Sequence, residues 1–334
     1  MLYRARLRER RVVWWIAPTL AILATTIVGV GPVSAAPLVS PRTPVAARVD
    51  LNVYSPAMNR FVPIRVLRPA GTPVPRPTLY LLDGVGGGET GSGWMDRTDA
   101  ATFFADKNVN VVLPLAGRAS YYTDWEHDDP ILGRNKWTTF LTRELPPVIN
   151  ATLGTTGRNA IAGLSMSALS VLNLAIHAPG LYQAVSSYSG CARTADPVAQ
   201  AFVTSMVVSY GGNPFNMWGP PSDPEWAAND PTLHADRLRG TQLYVSAGTG
   251  APGPHEALGD RDIAGNPIAF ADRVVIGGGF ETVVNDCTHR LAAALGAAGV
   301  PARIDFRPTG THAWGYWQDA LHESWPMMAA AIGA

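Results

Sequence analysis

The chain has 334 residues, of which 47% are hydrophobic and 16% charged, so it can bury a large core and is neither disordered nor repetitive. Its formal net charge is zero, and it carries no basic stripe that would bind nucleic acid. Two cysteines are too few for a disulfide scaffold or a zinc site of four thiolates. Because the chain also lacks a Gly-rich phosphate loop and a His-Glu-x-x-His motif, we expect neither a cofactor nor a metal.

The N-terminus has the pattern of an export signal. Met1–Arg11 carry five arginines and one glutamate, and the apolar run Val12–Val30 is followed by the small-residue segment Pro32–Ala36. We predict a signal peptide over residues 1–35, whose removal leaves a formal charge near −4. Because the apolar run is long, an uncleaved membrane anchor is the alternative. In both cases we expect the folded part to be exported, either secreted or associated with the cell wall.

Strand-like and helix-like segments alternate after the leader. Residues 36–48 form a Pro- and Ala-containing lead-in without periodicity, and Val49–Tyr54 and Phe61–Leu67 then alternate with period two, which predicts a hairpin. Apolar runs of buried-strand length follow at Thr78–Leu82, Val109–Leu113, Ala160–Ala162, Ala184–Tyr188, Leu243–Ala247 and Arg303–Phe306. Helical patterns separate most of them, at Ala100–Asp106, Thr138–Ala151, Met166–His177, Glu281–Ala298 and Trp317–Ile332.

This alternation predicts an α/β fold, with a mostly parallel central sheet and helices on both faces. The folded length of roughly 300 residues is at the upper edge of one domain, and we assign residues 49–334 to it. Two stretches rich in Pro and Gly, Gly211–Pro224 and Gly248–Gly279, are predicted to be long loops over the edge of the sheet. They are not linkers, because the alternation resumes after each of them.

Residues 159–177 have the layout of a nucleophile elbow: an apolar strand, the sequence Gly163-Leu164-Ser165-Met166-Ser167, and a helical run. A serine at such a sharp turn exposes its Oγ at the carboxyl edge of the sheet, with a helix N-terminus behind it. The last position is serine where glycine is usual, but it needs only a side chain that is small enough for helix and strand to approach. The alternative is a strand–helix junction with an incidental serine.

A serine nucleophile needs a histidine base that is oriented by an acid, and in hydrolase sheets the chain order is nucleophile, acid, base. His312 fits the base because it comes directly after the last predicted strand, where a loop can carry the imidazole back over Ser165. The other six histidines lie in helices or in loops without a strand before them, and are more typical of packing or surface positions: His127, His177, His234, His255, His289 and His322.

Position in the chain does not choose the acid. The loop after the strand Leu243–Ala247 and the helix beyond it contain five candidate carboxylates: Glu256, Asp260, Asp262, Glu281 and Asp286.

Acyl chemistry also needs donors aimed at the developing oxyanion. One should be the backbone N–H of Met166, and the second should come from the loop Leu81–Gly88, whose glycines permit close backbone approach.

Several longer motifs point to one family. They are Tyr80–Gly84, Gly93-Trp94, Tyr122–Trp125, Lys136-Trp137, Phe140–Pro146, Gly163–Met166, Met217–Pro224, Asn229–Thr232 and Gly310–Trp314. With these motifs the chain resembles the mycolyltransferases of the antigen 85 type, exported enzymes of the esterase D-like α/β-hydrolase family, from about residue 50 to the C-terminus. The resemblance implies an α/β-hydrolase fold for residues 49–334.

The resemblance also implies roles for individual residues. It implies the triad Ser165, Glu281 and His312, and thereby selects Glu281 among the five carboxylates. It implies that the backbone N–H groups of Val85 and Met166 form the oxyanion hole. In addition, it implies sugar contacts by Asp83 and by Trp314, the latter as an aromatic wall near the base.

The chain departs from the family pattern at two places. The family arginine that helps to hold trehalose falls at Gly86, which removes a cation and a fork of donors. The short disulfide loop of the family is missing, because residues 126–135 contain no cysteine. Cys191 and Cys287 instead flank the nucleophile and the helix of the acid, so that a disulfide between them would brace Glu281. Two free buried thiols are the alternative.

The resemblance implies an acyltransferase that moves a mycolyl group between sugar hydroxyls, of trehalose or of cell-wall arabinan, through an acyl-enzyme. The expected partners are an acyl-sugar glycolipid donor and a sugar acceptor, with peripheral contact to lipids of the cell envelope and none with nucleic acid. Two alternatives remain from the sequence: a secreted carboxylesterase of the same fold, and a non-catalytic surface-binding protein on a hydrolase scaffold.

Overall fold

The computed structural model describes residues 45–71, 74–90 and 93–334. The predicted signal peptide over residues 1–35 lies outside these ranges. Within them, no helix combines the length and the apolar character that crossing a bilayer would require.

Eight strands form one sheet with the order β1-β2-β4-β3-β5-β6-β7-β8. Their bounds are β1 Ala47–Ser55, β2 Arg60–Arg68, β3 Thr78–Leu82, β4 Asn110–Pro114, β5 Asn159–Leu164, β6 Ala184–Tyr188, β7 Gln242–Ala247 and β8 Arg303–Phe306. The predicted hairpin is confirmed, since β1 and β2 pair antiparallel with Tyr54 opposite Phe61. β2 also pairs antiparallel with β4, whereas every pair from β4 through β3 to β8 is parallel. The predicted mostly parallel α/β sheet is therefore confirmed.

Helices cover both faces of the sheet. The α-helices are α1 Trp94–Arg97, α2 Ala100–Phe103, α3 Trp137–Thr139, α4 Leu145–Leu153, α5 Met166–His177, α6 Pro197–Ser209, α7 Phe215–Trp218, α8 Pro224–Ala228, α9 Pro267–Asp272, α10 Gly278–Ala297 and α11 Trp314–Ile332. π-helical turns join α3 to α4 and α9 to α10, and a 3-10 turn spans Ala235–Leu238.

The central strands are apolar at nearly every position because both of their faces are buried. Strands β3 to β6 are buried along their whole length. Along β3, Tyr80 and Leu82 join one hydrophobic core, and Leu79 and Leu81 join a second core on the opposite face. This two-sided burial holds the central strands rigidly, and the carboxyl ends of the parallel strands meet at one edge, where ligands bind in such sheets.

Several element boundaries differ from the sequence-based predictions. Strand β1 begins at Ala47, within the predicted lead-in, and α11 begins at Trp314, three residues before the predicted start. The stretches predicted as long loops contain α7 and α9, and α6 was not predicted. Helix α6 has a local start signal, because the side chain of Asp196 accepts hydrogen bonds from the backbone N–H groups of Val198 (3.1 Å) and Ala199 (3.2 Å).

Candidate active site

Ser165 lies at a sharp turn between β5 and α5. Its backbone has φ 53° and ψ −119°, in a left-handed region that non-glycine residues rarely adopt. The turn is tight because two glycines allow close packing around it. A Cβ at Gly163 would lie 2.6 Å from the Oγ of Ser167, and a Cβ at Gly190 would lie 2.3 Å from the Cβ of Ala168. This is the geometry of a nucleophile elbow.

Ser167 takes the place of the usual glycine and is fully buried. Its Oγ accepts the backbone N–H of Leu164 at 2.9 Å and lies 3.0 Å from the carbonyl oxygen of the same residue. A hydroxyl is therefore accommodated at this junction because the missing side chain of Gly163 leaves room for it, and its hydrogen bonds tie the end of β5 to the first turn of α5.

Two hydrogen bonds connect three side chains that are distant in sequence. The Nε2 of His312 lies 2.8 Å from the Oγ of Ser165, and its Nδ1 lies 2.8 Å from the Oε2 of Glu281. Glu281 is 1% exposed. The arrangement of hydroxyl, imidazole and buried carboxylate is the one that activates a serine in acyl-transfer enzymes.

The second carboxylate oxygen of Glu281 is also satisfied. Its Oε1 accepts a hydrogen bond from the Oγ of Ser189 (2.8 Å) and one from the backbone N–H of Gly248 (2.7 Å). Because Ser189 follows β6 and Gly248 follows β7, two strand ends fix the acid at the edge of the sheet. A buried carboxylate needs such donors, since burial without them would disfavour its charge.

Glu256, another of the five candidate acids, does not contact His312 but holds the loop that carries it. Its Oε1 accepts from the Oγ1 of Thr311 at 2.6 Å, and its Oε2 accepts from the hydroxyl of Tyr316 and from the backbone N–H of Gly253. Thr311 directly precedes His312, so this carboxylate anchors both sides of the histidine.

The remaining candidate acids form ion pairs away from the imidazole. Asp260 pairs with Arg273 at 2.8 Å, and Asp262 pairs with Arg97 at 2.9 Å. Asp286 lies on the exposed side of α10, where it pairs with Arg193 and Arg290. None of the three hydrogen bonds to His312, so the structure places Glu281 alone of the five against the histidine.

A disulfide joins the two elements that surround Glu281. Cys191 and Cys287 are bonded, with their Cα atoms 5.0 Å apart. Cys191 comes two residues after Ser189, which donates to Glu281, and Cys287 lies on α10, six residues after Glu281. The disulfide therefore ties the donor of the carboxylate to the helix that carries it.

The loop after β3 is held against the loop after β4. The backbone N–H of Ala119 donates to the carbonyl oxygen of Val85 at 2.8 Å. Gly87 has φ 62°, and a Cβ there would lie 2.4 Å from the backbone nitrogen of Arg118. Only glycine fits this approach, which fixes Val85 beside Ser165 in one cavity. Met166, the residue after the serine, is the first residue of α5 and has no partner for its N–H within the helix.

The serine opens into a cavity of about 340 Å³, which we call the nucleophile cavity. It is lined on one side by His312, Trp314 and Trp317, and elsewhere mainly by polar and charged residues: Asp83, Glu89, Thr90, Arg97, Arg118 and Tyr210. Gly86 also lines it, and the nearest atom to a Cβ built there is the Tyr210 hydroxyl at 3.9 Å, so that position leaves open space.

Asp83 is a buried carboxyl in this cavity. Burial raises its pKa to about 6, although the backbone N–H groups of Gly84 and Trp94 lower it in part. The N–H of Gly84 lies 2.8 Å from its Oδ1, and Gly93 approaches so closely that any Cβ there would overlap the carboxylate. Near pH 6 this group can therefore donate as well as accept hydrogen bonds.

Trp314 begins α11 and stands beside the base. Its ring packs edge-on against Trp94 (5.7 Å between centroids) and Trp317 (5.1 Å), and Trp317 in turn packs edge-on against His312 (4.9 Å). The aromatic cluster fixes the ring of Trp314 in the wall of the nucleophile cavity.

Sequence reasoning missed five polar residues of this cavity: Glu89, Thr90, Arg97, Arg118 and Tyr210. Arg118 pairs loosely with Glu89, with Nε 3.5 Å from Oε2. It comes from the loop after β4 and therefore brings a guanidinium to the cavity from a segment other than the one that holds Gly86. The strand–loop boundary after β4 was the available signal, since residues at the carboxyl end of a parallel strand meet at the site.

An adjoining cavity of about 370 Å³ shares Arg97, His312 and Trp314 with the first. Its other lining residues come mainly from the segment before Glu281 and combine apolar side chains with charged ones: Ala269, Ile276, Phe280, Asp262, Asp272 and Arg273. Beside it, Ile268 is 79% exposed and Val275 67% exposed. The edge of the site next to Glu281 is therefore open and partly apolar.

Comparison with known proteins identifies relatives along most of the chain. The model of a family described as putative esterase matches residues 55–328. The diacylglycerol acyltransferase/mycolyltransferase Ag85A of Mycobacterium leprae is 31% identical over 94% of this chain and 92% of its own length. Ag85A of Mycobacterium tuberculosis (strain H37Rv) is 32% identical over 85% of this chain and 81% of its own.

Solved structures agree with the sequence relatives. The crystal structure of Mycobacterium tuberculosis MPT51 (FbpC1) has a TM-score of 0.69 at 28% identity, and the match covers 86% of this chain and 99% of that chain. FphF, a serine hydrolase of Staphylococcus aureus, has a TM-score of 0.64 at 17% identity over 85% of this chain and 98% of that chain, which shows the α/β-hydrolase fold alone. The predicted fold and the resemblance to the antigen 85 type are confirmed.

Proposed function

The chain belongs to the putative esterase family and, within it, to the mycolyltransferases of the antigen 85 type, and we propose that it is a serine acyltransferase that moves a mycolyl group between sugar hydroxyls. The observation that carries the proposal is the pair of 2.8 Å hydrogen bonds that connect Ser165 to His312 and His312 to Glu281. We infer that the acyl group is a mycolyl group from the relatives that are named mycolyltransferases.

In the first half-reaction, Nε2 of His312 takes the proton of the Ser165 hydroxyl while Oγ forms a bond to the carbonyl carbon of the donor ester. Glu281 stabilises the imidazolium that results. When the tetrahedral intermediate collapses, the bond from the carbonyl carbon to the donor sugar oxygen breaks, and His312 gives its proton to that oxygen. The acyl group is then an ester of Ser165.

In the second half-reaction a hydroxyl of the acceptor sugar loses its proton to His312 and attacks the acyl-enzyme. The bond to the Oγ of Ser165 breaks, the proton returns to Oγ, and the acylated acceptor leaves. Because one nucleophile serves both halves, we expect ping-pong kinetics. In each half, the N–H groups of Val85 and Met166 are our candidates for the oxyanion hole, since both residues flank Ser165.

We assign the acceptor to the nucleophile cavity. Asp83 and Arg118 offer an acceptor and a fork of donors for sugar hydroxyls, and the ring of Trp314 offers an apolar face. The family pattern has an arginine at the position of Gly86. In this chain Arg118, from the loop after β4, brings a cation to the cavity instead. The acceptor sugar itself is therefore expected to contact Arg118 in place of a residue at position 86.

We assign the acyl chain of the donor to the apolar side of the adjoining cavity, lined by Ile276 and Phe280, because this cavity shares His312 with the nucleophile cavity. The exposed side chains of Ile268 and Val275 next to it support peripheral contact with lipids of the cell envelope. The pattern of residues 1–35 supports export to that compartment.

The test is to incubate the purified protein with a mycolyl-trehalose donor, with and without added sugar, and to separate the lipids. New glycolipid supports the transferase, whereas free fatty acid alone would make the protein a carboxylesterase. Ser165→Ala should keep the fold, checked by circular dichroism, and abolish turnover. If the purified variant transfers acyl groups at the wild-type rate, the mechanism is wrong.

A fluorophosphonate probe separates the enzyme from a surface-binding protein on the same scaffold. The probe should label the wild type stoichiometrically at Ser165 and leave Ser165→Ala unlabelled. A wild-type protein that stays unlabelled while correctly folded would favour the binding role.

A further inference from the structure

A second polar cavity is separated from the nucleophile cavity by the ion pair between Glu89 and Arg118. It measures about 230 Å³, and we call it the outer cavity; its lining residues are Arg60, Glu89, Gly117, Arg118, Ile131, Leu132, Gly133 and Asn135. Glu89 and Arg118 also line the nucleophile cavity. We propose that the outer cavity is a second sugar subsite, so that the acceptor is an oligosaccharide whose acylated unit lies against Ser165 and whose next unit lies beside Arg60. This inference rests on the proposed acyl transfer to a sugar.

The first argument is the guanidinium of Arg60. It is partly buried, and this burial lowers its pKa. The charge of Glu89 raises the pKa in part, by Coulomb attraction and without a hydrogen bond. Its contacts are the ring of Trp137, 5.6 Å from the guanidinium carbon, and the sulfur of Met58, 3.6 Å from Nη2. No carboxylate in the described part of the chain forms an ion pair with it. A partly desolvated guanidinium with unused donors is suited to binding ligand oxygens.

The second argument is the wall between the cavities. Arg118 and Glu89 approach only to 3.5 Å, and their side chains are 46% and 34% exposed. An exposed ion pair of this kind contributes little to stability, so a ligand can displace it at small cost. The carboxylate of Glu89 is held in place, because its Oε1 also accepts the backbone N–H groups of Gly117 (3.2 Å) and Arg118 (3.3 Å). The guanidinium of Arg118 can therefore turn towards a ligand that occupies both cavities, while Glu89 keeps its position between them.

The third argument is the chemistry of the lining. Two guanidinium groups, of Arg60 and Arg118, face one carboxylate, that of Glu89, and the side chain of Ile131 adds an apolar surface that is 58% exposed. A sugar hydroxyl can accept from a guanidinium and donate to a carboxylate, and the C–H face of the ring can cover Ile131. A small anion would satisfy only the arginines and would be repelled by Glu89, so the lining favours a neutral sugar unit.

The test compares acceptors of different length. The purified protein is given one acyl-trehalose donor and either arabinose or linear arabino-oligosaccharides of two to four units, and kcat/KM is measured for each acceptor. We expect the wild type to prefer two units over one by about tenfold or more, since a charge-assisted hydrogen bond contributes about 1.5 to 3 kcal/mol. Arg60→Met should lose this preference while donor hydrolysis and transfer to arabinose stay unchanged. Equal rates for all lengths, or an equal loss for all acceptors, would overturn the subsite.

Arg65→Met is the matched control, because Arg65 lies on the same strand and is also partly buried, but pairs with Asp50 and does not line the outer cavity. It should keep the length preference. A second measurement does not need turnover: calorimetry of the oligosaccharides with Ser165→Ala and with Ser165→Ala/Arg60→Met should show about tenfold weaker binding to the double variant. Equal binding would contradict the subsite. If the wild type transfers to no acceptor, the proposed function fails, and the calorimetry still decides the subsite.

Discussion

The hydroxyl of Ser189 donates to Oε1 of Glu281 at 2.8 Å, while Oε2 of the same carboxylate holds the imidazole of His312. The acid is therefore oriented from the side opposite to the base. A carboxylate that loses one of its donors is free to rotate and less well matched to the imidazolium.

Ser189→Ala should accordingly lower kcat about tenfold, since a hydrogen bond to a charged group contributes about 1.5 to 3 kcal/mol. The N–H of Gly248 remains as a donor, so activity should not be lost altogether. Steady-state hydrolysis of an activated ester measures the effect. Ser187→Ala is the control, because its buried hydroxyl donates to the carbonyl of Ala168 and not to the acid; an equal loss of kcat in both variants would speak against the orienting role.

Reduction of the disulfide between Cys191 and Cys287 should lower both stability and activity. The bridge spans a sequence separation of 96 residues, for which loop-closure entropy corresponds to about 4 to 5 kcal/mol of stability. Because the bridge also ties the Ser189 segment to the helix of Glu281, kcat should fall before the protein unfolds. Thermal unfolding and ester hydrolysis are followed with and without a phosphine reductant. A rate that is unchanged under full reduction would show that the bridge does not brace the acid.

Asp83→Asn should stabilise the protein at pH 8 and not at pH 4. In the folded protein burial raises the pKa of Asp83 from 3.8 to about 6. Below pH 3.8 the carboxyl of Asp83 is protonated in both the folded and the unfolded protein. As the pH rises from there through 6, the free energy of unfolding of the wild type falls, because the folded protein holds the proton more tightly than the unfolded protein. Above that pH the wild type carries a cost of about 3 kcal/mol that asparagine avoids. Denaturant unfolding of both proteins from pH 4 to pH 8 measures it; a stability difference independent of pH would contradict the buried charge.

Glu256→Ala should reduce kcat by about tenfold and slow labelling of Ser165 by a fluorophosphonate, because the loop around His312 loses the anchor of Thr311. KM for the donor should change little, since Glu256 does not line the nucleophile cavity. Asp260→Asn provides the comparison, as it removes a charge paired with Arg273 in the same loop. If both variants label at the wild-type rate, the anchor has no part in positioning the base.

The sequence alone is sufficient to predict the sheet and the serine. The central strands are buried on both faces and therefore read as continuous apolar runs, and the turn at Ser165 needs small residues at fixed spacing. The position of His312 beside Ser165 is predictable for a similar reason, because His312 comes after the last strand of the parallel sheet.

Position in the chain did not single out Glu281, because the loop after β7 and helix α10 together contain five candidate carboxylates and only tertiary contacts distinguish them. Glu281 is selected by donors from two other strand ends, Ser189 and Gly248, which lie far from it in sequence. The polar wall of the cavity was missed for the same reason. Arg118 lies in an ordinary loop, and only the packing of that loop against Gly87 brings it to the site.

The open position at Gly86 lies in the wall of the nucleophile cavity, apart from the contacts that hold Ser165, His312 and Glu281 together. Gly86 does not adopt a left-handed backbone, and a Cβ there meets no atom closer than 3.9 Å. A Cβ can therefore be added at this point without moving Ser165 or the backbone around it. Under the proposed function, we expect a replacement at position 86 to change the acceptor while the hydrogen bonds among Ser165, His312 and Glu281 stay as they are.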